Sequence, residues 1–489
     1  MNGNVSGGSK RDLHIQKPDA REAAFMSLDR CERQKRYSCI EVDTVIKKYR
    51  LEGAEKGLYA ALVYGVTERL TTLDFFLRSL SKTALEKLDS GVLTALRLAL
   101  YQIIFLTKIP HSAAVNESVK LTKKHISAAA GGYVNALLRN FLRALPNASA
   151  SMPEVSKLVA LPEFKERFAQ LDKYGKLSVI YAFPPAMCEF LCNAYSDEQA
   201  IKIMESENAA DYLTLKVNTL KTTVEAVTAR LEALGLDPHP TAHAEDGIKF
   251  THGAPIAALK ELFDSGEIYV QDEASQLAVR ALDPKPGETL LDACSCPGGK
   301  SFSTAIYMQN CGRLLSCDLH RNKLSLVESG AAKLGIGIIT TLEADGSRFD
   351  EKIRRFAPGG FDRILCDVPC SGLGVAGKKP EIRYKDPGDI SRLPEIQMKI
   401  LENCSTYLKD GGVLVYSTCT LNPEENEHNI ERFLAAHPEF TPCDFKLSRA
   451  SDERYNSKRG MITLFPHIHE TDGFFISKLV KCTSRDPEQ

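Results

Sequence analysis

The chain has 489 residues, 43% hydrophobic and 26% charged, with 62 Lys and Arg against 63 Asp and Glu. At roughly 150 residues per domain this length predicts about three domains, each able to bury its own core. A formal charge of −1 excludes a uniformly basic nucleic-acid binder, and with no run of ~18 apolar residues no transmembrane helix is expected.

The opening stretch MNGNVSGGSKRDLHIQK has no apolar core, so no secretory signal is expected and the 14 cysteines are read as reduced thiols. Residues 18–145 predict an all-α domain of five or six helices. Apolar residues recur every three or four positions in AREAAFMSLDRCERQ and GLYAALVYGVTERLTTLDFFLRSL. VLTALRLALYQIIFL is apolar on every side and predicts the buried central helix of a bundle, ended by Pro110. Gly131-Gly132 is expected to break the chain before YVNALLRNFLRAL.

PNASASMPEVSKLVA, residues 146–160, reads as a linker, opening a middle module over 146–280. YLTLKVNT, GIKFTHG and EIYVQDEAS look like short strands and TVEAVTARLEALG like an amphipathic helix, making a small α+β module. Over 281–489 apolar runs of strand length (ETLLDAC, GRLLSCDL, IITTLEAD, FDRILCDV, GGVLVYST) alternate with helical patterns, and GFFISKLVK closes the series. That alternation predicts an α/β domain of Rossmann type with a buried parallel sheet.

Three segments carry chemistry. TLLDACSCPGGKS leads a strand through Pro297, Gly298 and Gly299 into a helix, at the edge where doubly wound sheets bind ligands. It is not a nucleotide phosphate loop, because Cys294 stands where that motif needs its first glycine. Asp292, Asp318, Asp345 and Asp367 end four successive strands at one edge. An acid there can hold a ribose diol, whereas any single one can equally cap the following turn. ILCDVPCSGLGV and LVYSTCTLNPEEN each place a thiol, Cys370 and Cys419, in a turn just past a strand. Both are candidate nucleophiles, while Cys404 and Cys443 read as small buried hydrophobes. No Cys-x-x-Cys pair occurs and no metal site is expected.

Charge is uneven. Residues 1–150 hold 23 Lys and Arg against 14 Asp and Glu, a surplus of +9, and the remaining 339 hold 39 against 49. A second basic cluster, Lys378, Lys379, Arg383 and Lys385, follows the Cys370 turn.

In order, DACSCPGGK, DVPCSGLG, KKPEIRYK and LVYSTCTLNPEEN resemble the signature blocks of the RNA cytosine-5 methyltransferases. The leading helical domain resembles the NusB-like RNA-binding domain, and the whole order resembles the members of that family that act on bacterial 16S rRNA. The resemblance implies a class I methyltransferase domain with S-adenosylmethionine over Cys294, Ser295, Cys296, Pro297, Gly298, Gly299 and Lys300. It further implies Asp318 on the ribose, Asp345 near the adenine and Asp367 near the methionine end and the pyrimidine. Cys419 is then the nucleophile toward cytosine C6 and Cys370 assists product release. One departure is Cys296, where the family usually has Ala. RNA contact is expected at Lys378, Lys379, Arg383 and Lys385, since a target cytosine must be unstacked to be reached. The implied protein is a cytoplasmic monomer acting on small-subunit rRNA, with no membrane or metal partner. A tRNA substrate, a DNA enzyme using Cys370 as nucleophile, and an RNA-binding assembly factor without turnover are the competing readings.

Overall fold

The computed structural model describes residues 17–34, 42–145, 154–209, 212–251, 257–448 and 452–482. Contacts divide the chain into two compact units, Met1–Cys188 and Glu189–Gln489. Among the described residues no single helix is long and apolar enough to cross a membrane.

The first unit is helical throughout. Its central helix, Ser90–Phe105, buries thirteen residues and starts on the Asp89 carboxylate, which accepts from Gly91 N. The single charge inside it, Arg97, is buried and donates to Glu32 (2.8 Å) and to both oxygens of Asp74 (2.7 and 2.8 Å). A buried guanidinium persists only when its donors are paired in this way. Among the described residues seven α-helices lie between Ala20 and Ala144, more than the five or six expected, because the 57–80 pattern is two helices meeting at Arg69 and Val42–Tyr49 adds another. The expected break at Gly131-Gly132 is absent, and helix Ala128–Ala144 runs through both glycines. A Cβ at Gly131 would lie 2.5 Å from Lys123 Cγ, so the glycine serves close packing against the preceding helix.

The boundary of this unit lies beyond the Pro/Ser-rich stretch, of which 146–153 fall outside the described residues. Helices Pro162–Ala169 and Lys173–Tyr181 belong to the bundle. Phe164 packs edge-on against Phe76 at 4.9 Å, and Thr72 Oγ1 donates to Val179 O at 2.7 Å. The core continues past the stretch 146–160 read as a linker, through Phe164.

The second unit holds two sheets. The smaller is antiparallel in the order β2-β3-β1-β4, built from β1 (Leu213–Val217), β2 (His239–Pro240), β3 (Gly247–Phe250) and β4 (Ile268–Val270). Its apolar face covers helix Val224–Ala233, which Thr223 caps. Asn218 past β1 donates to both Gly266 O and Leu334 O at 2.9 Å, tying this module to the larger sheet's helices.

The larger sheet comprises β5 (Thr289–Asp292), β6 (Arg313–Asp318), β7 (Ile339–Glu343), β8 (Phe361–Asp367), β9 (Leu408–Thr418), β10 (Phe440–Pro442), β11 (Met461–Leu464) and β12 (Phe474–Lys481). Their order is β10-β12-β9-β8-β5-β6-β7, with β11 also on β12, and β5 to β9 are mutually parallel. Successive side chains point to opposite faces. Thus Leu290, Leu314, Leu365 and Val415 enter one core while Leu291, Leu315, Ile364 and Leu414 enter the other. Burial on both faces explains the continuous apolar runs. The chain goes from β5 outward to β6 and β7, then returns to β8 on the other side of β5. The carboxyl ends of β5 and β8 therefore form the switch point at which such sheets bind ligands.

Candidate active site

The site divides along that switch point. On the β5 side, the turn Cys294–Gly298 leads into helix Gly299–Tyr307. Gly298 adopts φ +114°, and a Cβ there would sit 2.4 Å from the Phe302 ring, so only glycine turns the chain this closely. Beneath it Asp292 is buried and accepts from Ser301 Oγ at 2.6 Å. Burial pushes its carboxyl up to about 7, opposed by the Ser301 hydrogen bond and reinforced by Asp367. Asp292 thus supports the turn from below.

Asp318, at the end of β6, accepts from His320 N at 3.0 Å. Asp345, two residues past β7, accepts from the Ser347 amide (3.0 Å) and hydroxyl (2.6 Å). That hydroxyl, against a smaller effect of burial, holds the Asp345 carboxyl below its usual range. Both carboxylates therefore brace their own turns and stand partly exposed at the ligand edge. Cys296 lies against Asp318; burial, then the hydrogen bond to that carboxylate, pushes its thiol up to about 12. A glycine turn with two carboxylates at successive strand ends offers acceptors that suit a ribose diol and an exocyclic amine. These residues fit the nucleoside cofactor that the motifs imply.

On the β8 side, Asp367 ends its strand with both oxygens engaged. Ser417 Oγ donates to Oδ1 at 2.8 Å and Lys300 Nζ to Oδ2 at 2.8 Å. Lys300 thus turns from the β5 loop across the switch point. Burial opposes its charge, yet the Asp367 ion pair outweighs this and holds the ammonium above its usual range. The Cys370 and Cys419 turns meet, and the two Sγ atoms lie 3.3 Å apart. The Cys370 hydrogen bond holds the Cys419 thiol below its ordinary range, against burial and Asp367, with Lys300 and Lys379 assisting. Conversely, the bond to Cys419 and burial push the Cys370 thiol well up, so of the two Cys419 is the easier to deprotonate.

Backbone contacts fix this meeting. Gly374 N donates to Cys419 O at 3.1 Å, and Gly473 N donates to Gly374 O at 2.7 Å. A Cβ on Gly374 would lie 2.0 Å from Gly473 O, so the two backbones touch only because both residues are glycine.

Comparisons with known proteins follow the order of the domains along the chain. Residues 279–480 match a profile described as 16S rRNA methyltransferase RsmB/F. Residues 18–143 match the NusB family, and 183–257 match an RsmF/B-like ferredoxin-like domain. A probable ribosomal RNA small subunit methyltransferase B of Bacillus subtilis (strain 168) is 35% identical, the alignment spanning 96% of this chain and all of that protein. The corresponding Synechocystis protein is 32% identical over 94% of this chain and 99% of its own length. The chain belongs to the RsmB/F methyltransferase family.

Solved structures agree with that placement. The crystal structure of PH0851 superposes with a TM-score of 0.74 at 26% identity, covering 94% of this chain and 99% of that one. A methyltransferase homologue from Pyrococcus horikoshii has a TM-score of 0.54 at 29% identity, over 64% of this chain and all of its own.

The basic segment after Cys370 corrects an expectation. Arg383 is 1% exposed, and its Nε donates to Ala376 O at 3.4 Å. Lys378 Nζ is ion-paired at 2.8 Å with both Asp272 and Asp472 and stands 3.9 Å from the Tyr212 ring centroid. These two cannot serve as surface phosphate contacts. Only Lys379 and Lys385 are exposed, and Lys385 Nζ also reaches Ser371 O at 2.6 Å. The short helical turn Pro380–Tyr384 buries Arg383 while the flanking Lys379 and Lys385 stay exposed, a geometry that composition does not encode.

Sequence reasoning missed Ser417 and Glu425 and placed Lys300 with the cofactor turn alone. In LNPEEN, Glu424 and Glu425 look like two solvated acids, yet Glu424 is exposed and Glu425 is 0% exposed. No local signal separates them.

Proposed function

We propose that this protein methylates C5 of a cytosine in small-subunit rRNA, with S-adenosylmethionine as methyl donor and Cys419 as covalent nucleophile. The observation that carries this reading is the 3.3 Å thiol pair beside the Lys300–Asp367 ion pair. The names borne by the relatives supply the RNA class.

Cys294–Lys300, Asp318 and Asp345 hold the cofactor, whose sulfonium supplies an electrophilic methyl group. Cytosine C5 is a poor nucleophile, so Cys419 thiolate adds to C6, and the electron pair of the C5–C6 double bond enriches C5 and N3. Asp367, held by Ser417 and Lys300, faces the N3 edge and accepts from the cytosine amino group, while the Lys300 ammonium beside it offsets the negative charge that develops at N3. Consuming the thiolate removes the hydrogen bond that keeps Cys370 protonated. Cys370 then releases its proton to water and accepts the C5 proton, and the electron pair expels Cys419 as thiolate. The balance is one proton released per methyl transferred. Lys379 and Lys385 meet backbone phosphates of the RNA beside the thiols.

The test is bisulfite mapping of small-subunit rRNA and of tRNA after incubation with cofactor, joined to trapping with a 5-fluorocytosine-bearing RNA. Protection of one rRNA cytosine and an adduct on Cys419 are expected. An adduct on Cys370, or protection only in tRNA, overturns the corresponding part.

A further inference from the structure

Glu425 is a buried carboxylate outside the reaction just described. It ends the short turn Pro423–Glu425, six residues after Cys419. Oε2 accepts from Ser371 N at 2.9 Å and from Gln397 Nε2 at 2.8 Å, and Oε1 accepts from Asn422 Nδ2 at 3.0 Å. Ser371 adjoins Cys370, and Asn422 lies in the Cys419 turn. Gln397 donates in addition to Pro369 O at 3.0 Å, on the other flank of Cys370. One carboxylate therefore bolts three segments together: the Cys370 turn, the Cys419 turn and helix Leu393–Ser405.

We propose that Glu425 is a positioning residue for the two thiols, its carboxylate clamping the Cys370 turn against the Cys419 turn so that the Cys370 S–H points at Cys419 Sγ. The inference rests on the proposed use of Cys419. A buried carboxyl group without a clamping role is poorly explained, since its oxygens must find donors, and two of its three donors come from the two thiol-bearing turns. Its neighbours repeat the same linkage. Ser371 Oγ lies 2.6 Å from Thr420 Oγ1, and Tyr416 Oη donates to Glu425 O at 2.6 Å. Glu425 also adds negative charge on the Cys370 side, behind the Cys419 hydrogen bond and burial in keeping that thiol protonated. Its substitution thus reaches Cys419 through Cys370.

Glu425→Gln keeps the shape but places an amide N–H₂ against one of three donors, which forces the turns apart. Two readouts follow in the full-length chain. The first is the pH midpoint for alkylation of Cys419 by iodoacetamide, measured by peptide mass spectrometry. It lies below the ordinary ~8.5 of a thiol in the native chain and rises by about one pH unit or more in E425Q. The second is the rate at which diamide joins Cys370 to Cys419, the two thiols losing their protons and two electrons to the N=N bond. It falls at least about tenfold in E425Q, because exchange needs both sulfurs in line. Glu425→Asp keeps the charge on a shorter arm and gives intermediate values. Unchanged midpoint and unchanged cross-linking in E425Q overturn the proposal. Should E425Q fail to show native circular dichroism, native values of both readouts in E425D overturn it equally. Methyl transfer by the native chain is followed separately. If it is absent while the thiols respond as stated, the methylation reading falls and the clamp stands. If it is present while neither readout moves, the clamp falls.

Discussion

Two pairs of hydrogen-bonded thiols are built on the same parallel sheet, and they differ in everything except the sulfur. Cys366 and Cys404 face each other within an apolar core, on β8 and helix Leu393–Ser405. Cys370 and Cys419 lie just past the ends of β8 and β9, where Lys300, Asp367 and Glu425 converge. In the first pair the bond to Cys404, then burial, pushes the Cys366 thiol well up. In the second, the bond from Cys370 holds Cys419 down, with two lysines assisting. Cys366 and Cys370 are four residues apart, so sequence neighbourhood does not make the proposed nucleophile. The end of the strand does, because there the backbone turns out of the apolar layer and charged side chains act on the sulfur.

The contrast breaks most visibly at Cys419. Cys419→Ser is expected to lower methyl transfer on the order of 10⁴-fold or more, while Cys366→Ala stays within about twofold, measured with labelled cofactor on small-subunit rRNA. Equal losses would erase the distinction.

Asp292 lies between the two pairs, acting on both Lys300 and Cys366. Its folded value of about 7 exceeds the ordinary 3.8, so the folded state keeps a proton that the unfolded chain has lost. Its contribution is therefore complete below pH ~4 and is lost as pH rises through 7, at about 1.4 kcal/mol per pH unit in between. Urea unfolding between pH 4.5 and 7 should show this fall, and Asp292→Asn should flatten it. A slope unchanged in D292N removes Asp292 as its source.

Cys366→Ser puts a hydroxyl in the apolar core and should cost about 1–3 kcal/mol by the same unfolding assay, with Cys419 alkylation unchanged. Lys300→Met removes the ammonium beside Cys419 and should raise its alkylation midpoint by about one pH unit, or 1.4 kcal/mol. Lys379→Ala, at an exposed position, should raise it by only a few tenths of a unit, since solvent screens that charge. If Lys379 exceeds Lys300, the charge that matters comes from the surface segment and not from the crossing lysine.

The larger sheet was the most legible part. Runs such as FDRILCDV are buried on both faces, so their apolar continuity alone identifies β8. Three of the small module's strands were read from short apolar patterns, and the two-residue β2 was too short to carry one. The helical unit was read correctly in class and miscounted in pieces, because Arg69 separates two helices with no proline or glycine to announce it. Its extent was also underread, since Phe164 joins the core across a stretch whose composition suits a linker.

The sequence by itself determined the architecture, the motif-bearing turns and the choice of two cysteines among fourteen, because these depend on periodicity and on residues within a few positions of each other. Only the tertiary structure decided that Cys370 meets Cys419 across 49 residues, that Lys300 crosses 67 residues to Asp367, and that Glu425 and not Glu424 is enclosed. It also buried Arg383 and tied Lys378 into ion pairs with Asp272 and Asp472. The reason is the strand order. Placing β8 next to β5, rather than next to β7, brings distant turns to one edge, and no local pattern of residues records which edge that is.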